Sequence, residues 1–331
     1  MALKNKAVSN KTSKSEYFEL LEKMVLIRLF EDRCSEHYSR GNIKGFLHLY
    51  TGEEAIAVGS ISCLEKEDYV ITHYRDHGHA LARGVEAKYA MAELFGKSTG
   101  TTGGIGGSMH IFDATKNFAG GHAIVGGQLP IGVGLAYAAK YKNTGAVTLC
   151  FLGDGALNEG EFHESMNLAA LWDLPIVFIC ENNLYGMGVP VEEAVAKKDI
   201  FEIGHAYDMP CSRVDGMNVL EVKEVTNKII KDVRNGKGPY FLEAQTYRFR
   251  GHSMADPSMY RGSAEEELWK LRDPINLHWS WLKENGYAKD ELNEIYEKMN
   301  SVMDDAVQFA TESEFPTIDD LYKNIYFENV G

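Results

Sequence analysis

No CxxC pair occurs among the five cysteines, Cys34, Cys63, Cys150, Cys180 and Cys211. That absence and the odd count exclude a zinc ribbon or a disulfide framework, and predict buried free thiols in a reducing cytoplasm. No run of ~20 uncharged apolar residues is present, which excludes a membrane-spanning helix. Positive charge is scarce: 34 Lys+Arg face 48 Asp+Glu, a net charge of −14, which argues against a nucleic-acid-binding surface. Residues 1–14 carry four Lys but no acid, no Arg and no apolar core. They read as a short disordered arm rather than a secretory signal or transit peptide. Neither an internal repeat nor a low-complexity linker interrupts the chain. At 44% hydrophobic and 25% charged residues it has ordinary globular usage.

Glycine is abundant, with 32 residues, 11 of them between Gly100 and Gly134. That stretch predicts a flexible backbone approaching something closely. The 331 residues allow one large domain or two. The pattern predicts one α/β domain over 15–331: N-terminal helices (15–68), an α/β core with its loops (69–257) and an acidic helical extension (258–331). The extension carries 16 Asp+Glu against 7 Lys+Arg, with helical apolar spacing at Leu292, Ile295, Met299, Val302, Met303 and Ala306. Helices are expected at 15–40, ended by Gly41, and at 53–64, 86–95, 128–141, 159–172 and 219–234. Strands are expected at 69–74, 146–152, 175–180, 212–214 and 240–247. Helix 128–141 shows small residues (Gly132, Gly134, Ala136, Ala138) read as one close-packing face. Alternation of helices with fully apolar strands predicts a doubly wound, mostly parallel sheet with helices on both faces.

In such sheets, ligands sit beyond the carboxyl ends of the strands. Two strand ends carry unusual polar loops: Gly153-Asp-Gly-Ala156 and Glu181-Asn-Asn-Leu-Tyr-Gly186. The 26 residues between Gly155 and Asn182 span one helix and one strand, which makes the loops neighbours. Asp154 offers a hard anionic oxygen and Asn183 a neutral one, while the flanking glycines admit a phosphate. This donor set suits Mg²⁺ shared with a diphosphate. Dinucleotide and P-loop fingerprints fail: Gly104, Gly132 and Gly153 each open a Gly-x-Gly with no Gly or Ala at the third following position, and Met91 stands where a P-loop needs glycine.

GDG, 26 residues, then NN is the signature of thiamine-diphosphate enzymes. It is accompanied in order by His48-Leu-Tyr-Thr-Gly-Glu-Glu54, Tyr74-Arg75, Gly106-Gly-Ser-Met-His110, Ile124-Val-Gly-Gly-Gln128 and Gly251-His-Ser-Met-Ala-Asp-Pro257. Over roughly residues 16–325 the chain resembles the alpha subunit of the E1 component of 2-oxoacid dehydrogenase complexes, most closely the pyruvate branch. The resemblance implies Mg²⁺ on Asp154, Asn183 and the Tyr185 carbonyl. It implies a diphosphate against the backbone of Gly155 and Ala156 and the side chains of Tyr74, Arg75 and His252, and an aminopyrimidine at the backbone of Ala123 and Val125. His48 and His252 are the implied proton-handling residues. Where the family has Gly-Asn-Gly-Ile-Val-Gly, this chain reads Gly121-His-Ala-Ile-Val-Gly126, and alanine serves at 123 only if φ there is not positive. His77 and His110 are expected to be structural. The segment Arg248 to Ala264 is expected to be a loop bordering the site.

The implied reaction is decarboxylation of pyruvate with acetyl transfer to the lipoyl domain of E2, in a cytoplasmic α₂β₂ assembly whose E1 beta subunit supplies an essential glutamate. Acetoin or branched-chain 2-oxo acids are the alternative substrates. A non-catalytic scaffold is the alternative of another class.

Overall fold

The computed structural model describes residues 14–323. The arm expected over 1–14 lies outside them, apart from Lys14, which opens helix α1 (Lys14–Ser39). There follow α2 (Glu54–Ile61), β1 (Tyr69–His73), α3 (His77–Arg83), α4 (Ala87–Leu94), β2 (Phe118–His122), α5 (Gln128–Tyr141), β3 (Thr148–Gly153), α6 (Gly160–Leu171) and β4 (Ile176–Asn182). A small hairpin of β5 (Tyr185–Gly186) and β6 (Val189–Pro190) leads to α7 (Val191–Ala194), β7 (Cys211–Asp215), α8 (Val219–Arg234) and β8 (Tyr240–Gln245). Helices α9 (Ser263–Lys270), α10 (Pro274–Glu284) and α11 (Lys289–Glu312) complete the described chain. None of the described helices is long and apolar enough to cross a membrane.

Six strands form one sheet in the order β2-β1-β3-β4-β8-β7, and every pairing in it is parallel. Residues that alternate along each strand feed two cores. Val70, Leu149, Phe151, Val177, Ile179 and Leu242 face the cluster built with α1, α2, α4, α8, α10 and α11. Ile71, Cys150, Leu152, Phe178, Cys180 and Phe241 face α5 and α6. Both faces are therefore covered, as fully apolar parallel strands require. The chain leaves β1 in one direction for β2 and then crosses to β3 on the other side, so the reversal lies between β1 and β3, where ligands bind in this architecture.

Local chemistry sets several boundaries. Asn218 caps α8 by accepting from the Leu220 and Glu221 amides, and Asp273 caps α10 ahead of Pro274. Helix α11 packs along α1 and α4, burying Leu292, Ile295, Met299, Met303 and Ala306, while Val302 stays exposed.

Four expectations need correction. Gly132 and Ala136 are buried, but Gly134 is exposed and Ala138 only partly covered; residues two apart cannot share a face of a 3.6-residue helix. Cys34, Cys150 and Cys180 are buried, whereas Cys63 and Cys211 are half-buried, all five as free thiols. Strand β2 lies inside the glycine-rich stretch. Nor is the earlier part of that stretch a loose approach. The carboxylate of Glu93, on α4, accepts the amides of Thr102, Gly104, Gly106 and Gly107 at 2.8–3.0 Å. A Cβ on Gly100 would fall 2.3 Å from Glu93 Oε2, so glycine serves close approach there rather than freedom.

Candidate active site

Strands β1, β2, β3, β4 and β8 deliver their carboxyl ends, or the loops just after them, into one cavity of about 480 Å³. Tyr74 and Arg75 come from β1, Ala123 and Val125 from β2, and Asp154, Gly155 and Ala156 from β3. Asn183 and Tyr185 come from β4, and His252 from the segment after β8. His48, from the turn before α2, completes the set. The structure thus brings together all eleven residues singled out in the sequence. His77 and His110 lie outside the lining: His77 is buried between Glu31 and Ser108, and His110 Nδ1 bonds the Gly121 carbonyl.

The two polar loops touch. An ideal Cβ on Gly155 would sit 3.4 Å from the Gly186 Cα, so side chains at either position would close the gap. Asn182 turns away, donating to Glu243 Oε1 and accepting the Leu184 amide. Leu184 takes a left-handed φ of 73°, uncommon for leucine, between Asn183 and Tyr185, both of which line the cavity. Asn183 Nδ2 donates to Glu53 Oε1 at 3.0 Å. Burial pushes the carboxyl of Asp154, 2% exposed, up to about 6. Ala123 does not adopt positive φ, so its backbone is compatible with alanine.

The opposite wall is cationic. Arg75 is buried, donating to the Leu49 carbonyl at 2.7 Å and the His252 carbonyl at 3.1 Å; its Nε lies 3.6 Å from Glu53 Oε2. Arg248, 1% exposed, reaches the Tyr185 and Met187 carbonyls and the Tyr260 hydroxyl. Among the described residues no carboxylate lies within salt-bridge distance of it. Burial, with Arg75 and Arg261 nearby, lowers its pKa to about 10. A buried cation without an anion is costly, and an anion in the cavity would relieve that cost.

The His48 and His252 rings lie 5.1 Å apart, with the Tyr74 ring 4.7 Å from His48. Burial and Arg75 lower His48 to about 2 and His252 to about 4. Both imidazoles are therefore neutral at pH 7, and the Nδ1 atom of each is buried without a partner.

Sequence reasoning missed Arg248 and Glu53. Glu53 is 1% exposed, and burial raises its carboxyl to about 7 against the pull of Arg75. Only a charged residue directly after a predicted strand, and the second residue of the Gly-Glu-Glu run, signalled them.

A family model described as "Dehydrogenase E1 component" matches residues 22–319. The chain is 43% identical over 317 residues to the pyruvate dehydrogenase E1 component subunit alpha of Rickettsia bellii, covering 96% of this chain and 97% of that one. It is 44% identical over 317 residues to the protein of the same name from Rhizobium meliloti, covering 95% and 90%. Identity to a chloroplastic pyruvate dehydrogenase E1 component subunit alpha-3 of Oryza sativa is 44% over 335 residues, covering 98% and 79%.

Proposed function

The chain belongs to the dehydrogenase E1 component family, and from that membership we propose that it is an alpha subunit of pyruvate dehydrogenase E1. Its reaction is the thiamine-diphosphate-dependent oxidative decarboxylation of pyruvate, with acetyl transfer to the lipoyl group of E2. The relatives' names support this. The observation that carries it is the cavity between β1 and β3, where the hard oxygens of Asp154 and Asn183 face the buried cations Arg75 and Arg248. That set fits a magnesium diphosphate: hard oxygens for the metal, guanidinium groups for the phosphates and glycine backbone between them. A scaffold would gain nothing from burying such charges.

Thiamine diphosphate, when bound, supplies the nucleophilic carbon and the electron sink for decarboxylation. The protein's tasks are placement and proton handling. Asp154, Asn183 and the Tyr185 carbonyl hold Mg²⁺. The backbone of Gly155 and Ala156, with Tyr74, Arg75, His252 and Arg248, holds the diphosphate. Ala123 and Val125 present backbone to the aminopyrimidine ring. His48 and His252, neutral with free Nδ1 atoms, exchange protons and hydrogen bonds on the substrate side. An arriving diphosphate favours their protonated forms.

The partners we propose are an E1 beta subunit in an α₂β₂ assembly, supplying the glutamate for the pyrimidine nitrogen, and the lipoyl domain of E2. Ile124 is 75% and Val125 40% exposed at the mouth of the cavity, an apolar rim that a partner would cover. The proposed compartment is the cytoplasm, in line with the bacterial relatives.

Co-expression with the beta partner, followed by decarboxylation assays, tests the reading. Pyruvate is expected to be turned over in preference to acetoin and 3-methyl-2-oxobutanoate, and the chain alone to be inactive. Preference for either competitor reassigns the substrate, and high turnover by the chain alone overturns the shared site.

A further inference from the structure

Glu53 is buried and touches two residues that line the cavity, Asn183 and Arg75. It immediately precedes α2, yet its side chain caps none of that helix's amides, so its burial is not explained by helix capping. Its Oε1 instead accepts from Asn183 Nδ2 at 3.0 Å. Its Oε2 lies 3.6 Å from Arg75 Nε and has no hydrogen bond of its own.

Asn183 presents its NH₂ group to Glu53 Oε1, which leaves Oδ1 on the opposite side. That oxygen has only a long contact, 3.4 Å, from the Tyr185 amide. Arg75 is fixed at its two terminal nitrogens by the Leu49 and His252 carbonyls, and Glu53 Oε2 faces its third, Nε, at 3.6 Å. One carboxylate thus joins the loop after β1 to the loop after β4, across 130 residues of sequence from Asn183.

We propose that Glu53 is a positioning residue of the cofactor site: accepting from Asn183 Nδ2, it turns Asn183 Oδ1 toward the metal and holds Arg75 in register with the phosphates. This rests on the magnesium-diphosphate reading above. Partners behind metal ligands fix ligand orientation, and their loss typically weakens binding.

The test uses the chain assembled with its beta partner and follows intrinsic fluorescence during Mg²⁺ titration at saturating thiamine diphosphate. Three proteins are compared: wild type, Glu53→Leu, which has no acceptor, and Glu53→Gln, which keeps one carbonyl oxygen for Asn183. The Mg²⁺ Kd is expected to rise about tenfold or more in Glu53→Leu and to stay within about threefold of wild type in Glu53→Gln. Should Glu53→Leu not assemble, Glu53→Ala carries the same expectation. An assembled acceptor-less variant that binds Mg²⁺ like wild type overturns the inference, as does Glu53→Gln binding as weakly as Glu53→Leu. If the wild-type assembly shows no Mg²⁺-dependent cofactor binding, the functional reading itself falls, a result distinct from either of these.

Discussion

Asp76 shows how burial of single side chains shapes the pH behaviour of this protein. Its carboxyl is buried, with Oδ2 accepting the Ile111 amide at 3.0 Å and Oδ1 unpartnered. Burial raises it from about 3.8 to about 7. The folded state therefore holds this proton longer than the unfolded chain does. The resulting stability is complete below about pH 4 and is lost as pH rises through 7. Asp76→Asn keeps an acceptor for Ile111 and removes the titration. In thermal melts the variant is expected to gain Tm over wild type between about pH 4 and pH 7, with the difference levelling off above that. Parallel pH profiles for the two proteins would show that Asp76 does not carry this dependence. Arg248 and Glu53 belong to the same scale, and neither stood out in the sequence. Their burial depends on neighbours from several distant segments, so no local pattern marks them.

Secondary-structure elements with strong local signals were legible, and those made by tertiary pairing were not. Helices α5 and α8 match the expected bounds in full, because α8 carries an asparagine cap and both end in polar turns. Strands β3 and β4 stood out as continuous apolar runs. Strand β2, Phe-Ala-Gly-Gly-His, reads as loop because glycine is depleted in strands; its pairing with β1 makes it a strand. The Glu93 clamp was hidden for the same reason, since four amides converge on one side chain only after the loop closes. Glu93→Gln leaves one acceptor oxygen where two served. The variant is expected to lose about 2 kcal/mol in urea unfolding, the order of a hydrogen bond to a charged group. Limited proteolysis is expected to cut it sooner within 100–107. Unchanged unfolding and an unchanged cleavage pattern would mean that the loop holds itself.

Across the described chain, the fold gathers two polar loops and two buried arginines around the cavity at the carboxyl ends of the strands, where the order reverses between β1 and β3. The sequence made the GDG and NN loops legible as neighbours, because one helix and one strand between them leave little choice of geometry. Arg75 was legible through the resemblance, but Arg248, the other half of the cationic wall, was not, because it needs the segment after β8 folded back over the carboxyl ends. In the function proposed above the chain carries half of a shared site, in which acidic oxygens and cations face each other across space suited to a metal-bound diphosphate. Calorimetric titration of thiamine diphosphate into the assembly with its beta partner tests this most directly, run with Mg²⁺ and with a chelator, on wild type and on Asp154→Asn. The account predicts tight binding to wild type only with Mg²⁺, weakened about tenfold or more in Asp154→Asn. Binding that is indifferent to the metal, or unchanged in Asp154→Asn, would contradict it.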